Sequence, residues 1–287
     1  MSGPAHTRRG TRLSAAALAA ACLVSGAAPA GAHPSAAAPP DAYQVKGVDT
    51  SHHNHDTTGR AIDRERVARH NASAVLKAAQ GAAYEDPWFA REAASATSLL
   101  RAPYHFFGPK STRDGAARAG HFVRTARRRL RGDEGRGAAA GPGRGGRPGR
   151  RQGGPPRDLR ADQLRIFPQR VKSAFEMTPV VSTRASLVTA CTGGEGEVFR
   201  GHPLWPARYR GGAEEPQNVP GAGAWTFWQY TETERVPGIP GRDGAAGTAD
   251  RDVYRGPLAG LRAPAHLGGA PRPAPCRPSG RAGTART

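Results

Sequence analysis

The stretch Tyr43-Gln44-Val45-Lys46-Gly47-Val48-Asp49-Thr50-Ser51-His52-His53-Asn54 decides the fold class. Its first half has strand character from Tyr43 to Val48, and the run stops on a carboxylate, Asp49. Ala74-Val75-Leu76-Lys77 reads as a second, buried strand and Ala102-Pro103-Tyr104-His105-Phe106-Phe107 as a third. Between them, Asp86 to Ala102 has helical spacing, with Trp88, Phe89, Ala93, Ala96 and Leu100 near one face; Asp114 to Ala126 reads as another helix. Strands alternating with helices predict a parallel α/β architecture. The span from Tyr43 to about Arg262 suits an α/β barrel, a fold that commonly takes about 250 residues. Chemistry in such barrels sits where strands end, so a carboxylate or aromatic just past a strand is the place to look.

Further along, Ala161 opens a helical pattern in which Leu164, Phe167, Val171 and Phe175 share a face. Pro168 inside that pattern should cost about 3 kcal/mol or kink the helix. Strands are predicted at Pro179–Thr183, Pro203–Ala207 and Ala224–Tyr230. Between the two halves the periodicity stops. From Arg127 to Arg157 there are ten Arg, ten Gly, four Pro and three Ala, which make 27 of 31 positions. Such a segment has too little apolar surface to offset the entropy of ordering its backbone, so residues 127–160 are expected to lack fixed structure and to leave the barrel incomplete.

The formal net charge is +19, and most of it lies in segments that look unlike a core. Residues 1–32 carry Arg8, Arg9 and Arg12 without an acid, residues 257–287 carry five arginines without an acid, and the Arg/Gly/Pro run carries ten against Asp133 and Glu134. The N-terminus reads as an export signal over 1–32: basic residues, an apolar run from Leu13 to Val24, then Ala28-Pro29-Ala30 and Ala30-Gly31-Ala32 as cleavage sites. That run is too short for a membrane span, which takes about 20 apolar residues. Residues 33–42 read as a linker, 43–262 as the folded domain and 263–287 as a basic tail. The expectation is a secreted, wall-associated monomer with no membrane contact after cleavage. Cys191 and Cys276 could pair outside the cell, but Cys276 lies in the tail and two thiols make a weak framework. A nucleic-acid partner is disfavoured: clustered Arg rewards counterion release, yet here it lacks interleaved aromatics and sits in an exported chain.

Asp49 and Asp250, the latter in Thr248-Ala249-Asp250-Arg251-Asp252 after a late turn, are two carboxylates far apart in sequence. Such a pair suits chemistry that stabilises an oxocarbenium-like charge, although a single Asp is more often a loop residue or helix cap. His52, His53 and His55 invite a metal reading, but adjacent imidazoles on an extended chain point to opposite faces and no His-Glu-x-x-His motif completes a site. The blander reading is that one histidine orients Asp49 and the others are exposed. Neither metal nor cofactor is expected. Tyr84, Tyr104, Trp205, Tyr209, Trp225, Trp228 and Tyr230 could stack on sugar faces or fill a core.

Taken in order, these pieces resemble the family 25 glycoside hydrolases. The resemblance rests on Gly47-Val48-Asp49-Thr50-Ser51-His52-His53, Lys77-Ala78-Ala79-Gln80-Gly81 with Tyr84-Glu85-Asp86-Pro87, Tyr104-His105-Phe106, Pro203-Leu204-Trp205-Pro206-Ala207-Arg208-Tyr209, and Trp225-Thr226-Phe227-Trp228-Gln229-Tyr230 followed by Asp250. It implies an irregular TIM-like barrel and a lysozyme activity, cutting the β-1,4 bond after N-acetylmuramic acid in peptidoglycan. It implies that Asp49 and Asp250 are catalytic and that Tyr104 and Trp228 line the sugar groove; among the other aromatics, Tyr84 and Trp205 are the further residues expected to bind substrate. Peptidoglycan glycan strands are the implied partner, and the basic segments could attach to anionic wall polymers. The family's Asp-x-Glu, whose Glu is the expected general acid, has no counterpart here; its place falls in the Arg/Gly/Pro run. Gln80, Ser182 and Pro206 are smaller departures. Two origins fit the break: GC-rich coding sequence read in a shifted frame, or a non-catalytic relative that kept a glycan groove.

Overall fold

The computed structural model describes residues 38–55, 58–107, 114–129, 139–141, 161–183, 185–192, 194, 196–209 and 214–262. Both expected termini, the export signal at 1–32 and the tail at 263–287, lie outside the described residues, as do most of 127–160 and the side chains of both Cys191 and Cys276.

Strands β1 (Val45–Thr50), β2 (Ser73–Gln80), β4 (Leu100–Phe106), β5 (Ala139–Gly141) and β6 (Val180–Val181) pair in parallel, while the short β3 (Tyr84–Glu85) folds back antiparallel on β2. The long β7 (Phe227–Pro240) and β8 (Ala246–Tyr254) form a hairpin that joins the sheet antiparallel, through β8 against β1. The order is β6-β5-β4-β2-β1-β8-β7. This corrects one expectation: the sheet is mixed rather than wholly parallel. Among the described residues its continuous ladder does not close on itself. The predicted strand at Pro203–Ala207 contributes only isolated bridges, Val181 to Leu204, Leu204 to Trp225 and Ala207 to Gln229. Prolines at 203 and 206 remove backbone donors from that segment, which explains why no continuous ladder forms.

The α-helices among the described residues are α1 (Arg64–Ala68), α2 (Phe89–Ser95), α3 (Gly115–Arg129), α4 (Ala161–Phe175), α5 (Ala185–Thr192) and α6 (Leu258–Arg262). The expectation of no fixed structure over 127–160 fails at two places: α3 runs through Arg129, and Ala139–Gly141 makes β5 between β4 and β6. Small residues suffice there because a strand needs only backbone groups to pair. Pro168 sits inside α4 and is buried with Leu164, Phe167 and Val171. Packing of that face offsets the lost backbone hydrogen bond.

Residues alternate across the sheet. Val48, Ala74 and Leu76 face the helices, where they join Val67 of α1, Phe89 of α2, Phe122 of α3 and Phe167 of α4 in the main core. His105 is fully buried within this layer, its ring 4.8 Å from Phe167 and 5.8 Å from Phe122, with Nε2 2.9 Å from the Gly81 carbonyl. That carbonyl can only accept, so Nε2 carries the proton. Burial, with smaller contributions from Arg118, His121 and Lys77, pulls the imidazole from 6.5 down to about 3, against the raising effect of the Gly81 hydrogen bond.

Gly238 ties β7 to the start of α1. Its carbonyl accepts from Asp63 N at 2.9 Å, its φ is +100°, and a Cβ there would meet Asp63 O at 2.5 Å. Gly238→Ala is therefore expected to destabilise the domain by about 1–3 kcal/mol, read from urea unfolding. For His105 the sign follows from its depressed folded pKa. The unfolded chain takes up a proton below 6.5 that the folded chain refuses until about 3, so stability falls as pH drops through that window, by about 1.4 kcal/mol per pH unit from this group. His105→Gln, which keeps a donor for Gly81, should show a shallower loss of melting temperature between neutral and acid pH than the parent.

Candidate active site

The register between β1 and β8 places Asp49 directly opposite Asp250, and Gly47 opposite Asp252. Asp250 follows a late turn, as expected, and lies within β8 rather than at a strand end. Cross-strand partners share a face, with Cβ atoms about 4.5–5.5 Å apart. Asp49, Asp250 and Asp252 thus stand as three buried acidic residues, 2–7 % exposed, on the face turned away from the helices. Opposite Asp252 stands Gln229 of β7, also buried. Its Nε2 donates to Asp49 Oδ2 while its Oε1 accepts from the Tyr209 hydroxyl. Because an amide has distinct donor and acceptor ends, this chain fixes the orientation of both Gln229 and Asp49.

The same face carries the aromatic wall. Asp49 is in register with Val75, and Lys77, two residues on, with Tyr104. Tyr104, Val180 and Trp205 form a cluster, with Val75, Phe106 and Phe227 packed against it. Trp205 Nε1 donates to Asp252 Oδ1 at 2.8 Å, which links the wall to the carboxylates. Lys77 Nζ lies over the rings of Phe106 at 5.3 Å and Tyr84 at 5.5 Å and donates to Gln80 Oε1 at 2.8 Å. Tyr84, at 39 % exposure, stands at the rim. Of the residues expected to bind substrate, Tyr104 and Trp205 are brought together beside Asp49 and Asp250, with Tyr84 at the edge. Trp228 is not. It alternates to the opposite face, at 1 % exposure among Tyr43, Trp225 and Val253, and its Nε1 donates to the Arg208 carbonyl at 3.1 Å. It is a core residue in this structure.

The loop after β1 spreads three histidines. His52 turns to Asp86, not Asp49: its backbone N donates to Asp86 Oδ2 at 3.0 Å and its Nδ1 lies 2.9 Å from the same oxygen. His55 is buried rather than exposed, stacked on Trp88 at 3.8 Å and 3.3 Å from Glu92. His52 thus orients toward Asp86, while Gln229 is a residue that bonds to Asp49. Among the described residues, no group of three or more His, Cys, Asp and Glu side chains could hold a metal ion.

Behind β1, on the helix side, Arg64 Nε donates to Glu92 Oε2 at 2.6 Å and its Nη2 donates to Thr50 Oγ1 at 2.7 Å. Thr50 follows Asp49, so this buried cation holds the end of the strand that carries the carboxylate. Burial lowers the Arg64 pKa, against the attraction of Glu92. Burial pushes Glu92 up, but hydrogen bonding from His55 and the Arg64 charge outweigh it and hold the carboxyl below its ordinary value. Sequence reasoning missed this pair, and missed Gln229 and Asp252. Two of those had a usable signal: in a strand, Gln229 and Phe227 share a face while Trp228 points away, and Asp252 shares the face of Asp250.

The family model for glycosyl hydrolases family 25 matches residues 48–239. This chain belongs to that family. Lysozyme M1 of Streptomyces globisporus is 28 % identical to it over 231 residues, covering 78 % of this chain and 72 % of that protein. The bacterial lysozyme of Streptomyces coelicolor superposes with a TM-score of 0.60 at 26 % identity, covering 78 % of this chain and 96 % of that one. A muramidase from Trichobolus zukalii shares the fold, with a TM-score of 0.56, 23 % identity and coverage of 78 % and 98 %. The family match begins at Val48, one residue before Asp49, and ends within β7. Asp250 and the whole of β8 lie beyond it, so their place opposite β1 comes from the fold.

The buried Arg64–Glu92 pair yields a test. Glu92→Gln leaves a buried guanidinium without its counter-charge and should cost about 3–5 kcal/mol in urea unfolding, whereas the double variant Arg64→Met/Glu92→Met should fall close to the parent.

Proposed function

We propose that this chain acts as a muramidase, hydrolysing the β-1,4 bond between N-acetylmuramic acid and N-acetylglucosamine in peptidoglycan outside the cell. The observation that carries this reading is the opposition of Asp49 and Asp250 across the β1–β8 ladder, beside the Tyr104–Trp205 wall. The two carboxylates stabilise positive charge as it develops at the scissile sugar carbon, and Gln229 holds Asp49 toward that point. The acetamido group of the muramic residue assists as internal nucleophile, one of the recognised departures from the two-carboxylate scheme. Tyr84, Tyr104 and Trp205 line the glycan groove, and no cofactor takes part. The isolated bridges through Leu204 and Ala207 support the irregular TIM-like barrel as the underlying architecture. Export by the signal over 1–32 and action as a monomer fit this reading, as does retention at the wall by basic segments on anionic polymers. No helix among the described residues is long and apolar enough to cross a membrane.

A second reading, a non-catalytic glycan-binding protein, is favoured by one observation. The strand between β4 and β6, where the resemblance puts Asp-x-Glu, is Ala139-Ala140-Gly141 and has no ionisable side chain. Losing a general acid costs roughly 10²–10⁴-fold in rate. The deciding assay is release of reducing ends from purified peptidoglycan, with products identified by mass. Muramic-acid reducing ends, lost in Asp49→Asn, are the expected outcome. Tight binding of peptidoglycan by folded protein with no product would establish the second reading instead.

A further inference from the structure

Resting on the muramidase reading, we propose that His52, oriented by Asp86, supplies the proton to the leaving glycosidic oxygen in this chain, the task for which β5 holds no carboxyl. His52 lies three residues beyond Asp49, just past the C-terminal end of β1, where a barrel of this kind places its chemistry. Asp86 is buried at 2 % exposure, and its Oδ2 receives both the backbone N–H and the Nδ1–H of His52 while its Oδ1 accepts from Trp88 N at 3.0 Å. An ionised carboxylate can only accept, so Nδ1 carries a proton and Nε2 is the nitrogen left for a ligand. The imidazole is partly open, with its side chain 21 % exposed. It meets Tyr84, one of the aromatics assigned to the glycan site, whose hydroxyl is 3.2 Å from Nδ1 and whose ring centroid is 5.6 Å from that of His52.

A buried carboxylate behind one imidazole nitrogen fixes the ring, sets its tautomer and stabilises the imidazolium, leaving the other nitrogen to exchange a proton. Here the imidazolium gives its Nε2 proton to the glycosidic oxygen as the bond from that oxygen to the anomeric carbon breaks, the bonding pair staying with the oxygen. The acetamido oxygen of the same sugar bonds to the anomeric carbon. Water then opens that ring and its proton returns to His52 Nε2, so the cycle balances as a hydrolysis. The charged and titratable groups facing His52 are Asp86 from the loop before α2, Tyr84 from β3 and His53 beside it, with centroids 3.9 Å apart; Lys77 of β2 lies beyond the Tyr84 ring.

The test is His52→Asn in the full chain, because the Asn amide can still donate to Asp86 while it removes the ring nitrogen proposed to pass the proton. Reducing-end release and binding of intact peptidoglycan are measured across about pH 4–8, the range in which imidazole changes charge. The expected result is a fall in kcat of roughly 10²–10⁴-fold with binding retained, and loss of the alkaline limb of the parent's pH profile. Asp86→Asn should lower kcat in the same direction and shift that limb. An active parent with His52→Asn equally active and its profile unchanged would overturn the proposal and leave the muramidase reading standing. A folded parent that binds peptidoglycan but releases no product would overturn both.

Discussion

The antiparallel pairing of β8 with β1 is the constraint on which the molecule turns. β1 is the strand from which everything else is measured: β2 pairs parallel on one side, β8 antiparallel on the other, and the carboxylate near its end lies opposite a second one only because of that register. A shift of one residue would send Asp250 to the helix side and Arg251 toward Asp49, since successive side chains alternate. The register is held from both faces. Gln229 and Tyr209 reach Asp49 from one side, while Arg64 grips Thr50 from the other.

These supports differ in kind. The Gln229 chain is neutral and directional, so it orients Asp49 without adding charge beside it. The Arg64–Glu92 pair carries full charges at almost no exposure, an arrangement seldom better for stability than well-packed apolar side chains. Its value here is placement: one guanidinium fork spans a helix-borne carboxylate and the strand hydroxyl next to Asp49. His55, stacked on Trp88 and close to Glu92, extends the same network into the loop from which His52 projects.

Much of this was legible in the sequence, and the failures have physical causes. β1, β2, β4 and the helices α2, α3 and α4 declare themselves through periodicity that their burial confirms: Val48, Leu76, Phe89, Phe122 and Phe167 all lie in one core. The hairpin of β7 and β8 was hidden because polar residues such as Glu232, Glu234, Arg235 and Arg242 break the alternation, and because several register shifts interrupt its pairing. Ala139–Gly141 was hidden because Ala and Gly within a run of Arg, Gly and Pro leave no apolar alternation to read. Trp228 misled for the opposite reason. A large ring beside a polar tip looks like a sugar platform, and only the parity of its position relative to Gln229 assigns it to the core.

The strand order has a consequence for how the protein is made. The strand that completes the edge of β1 is made long after it, because β2 to β7 all lie between them in sequence, so through that part of synthesis the strand carrying Asp49 has one unpaired flank. Exposed strand flanks invite pairing with other chains. Long-range contacts of this sort also assemble late, because the entropy of closing the intervening chain is lost before any of it is regained. A nascent chain held unfolded until its last hairpin has emerged avoids that hazard. Until that hairpin pairs with β1, nothing brings the two carboxylates opposite each other.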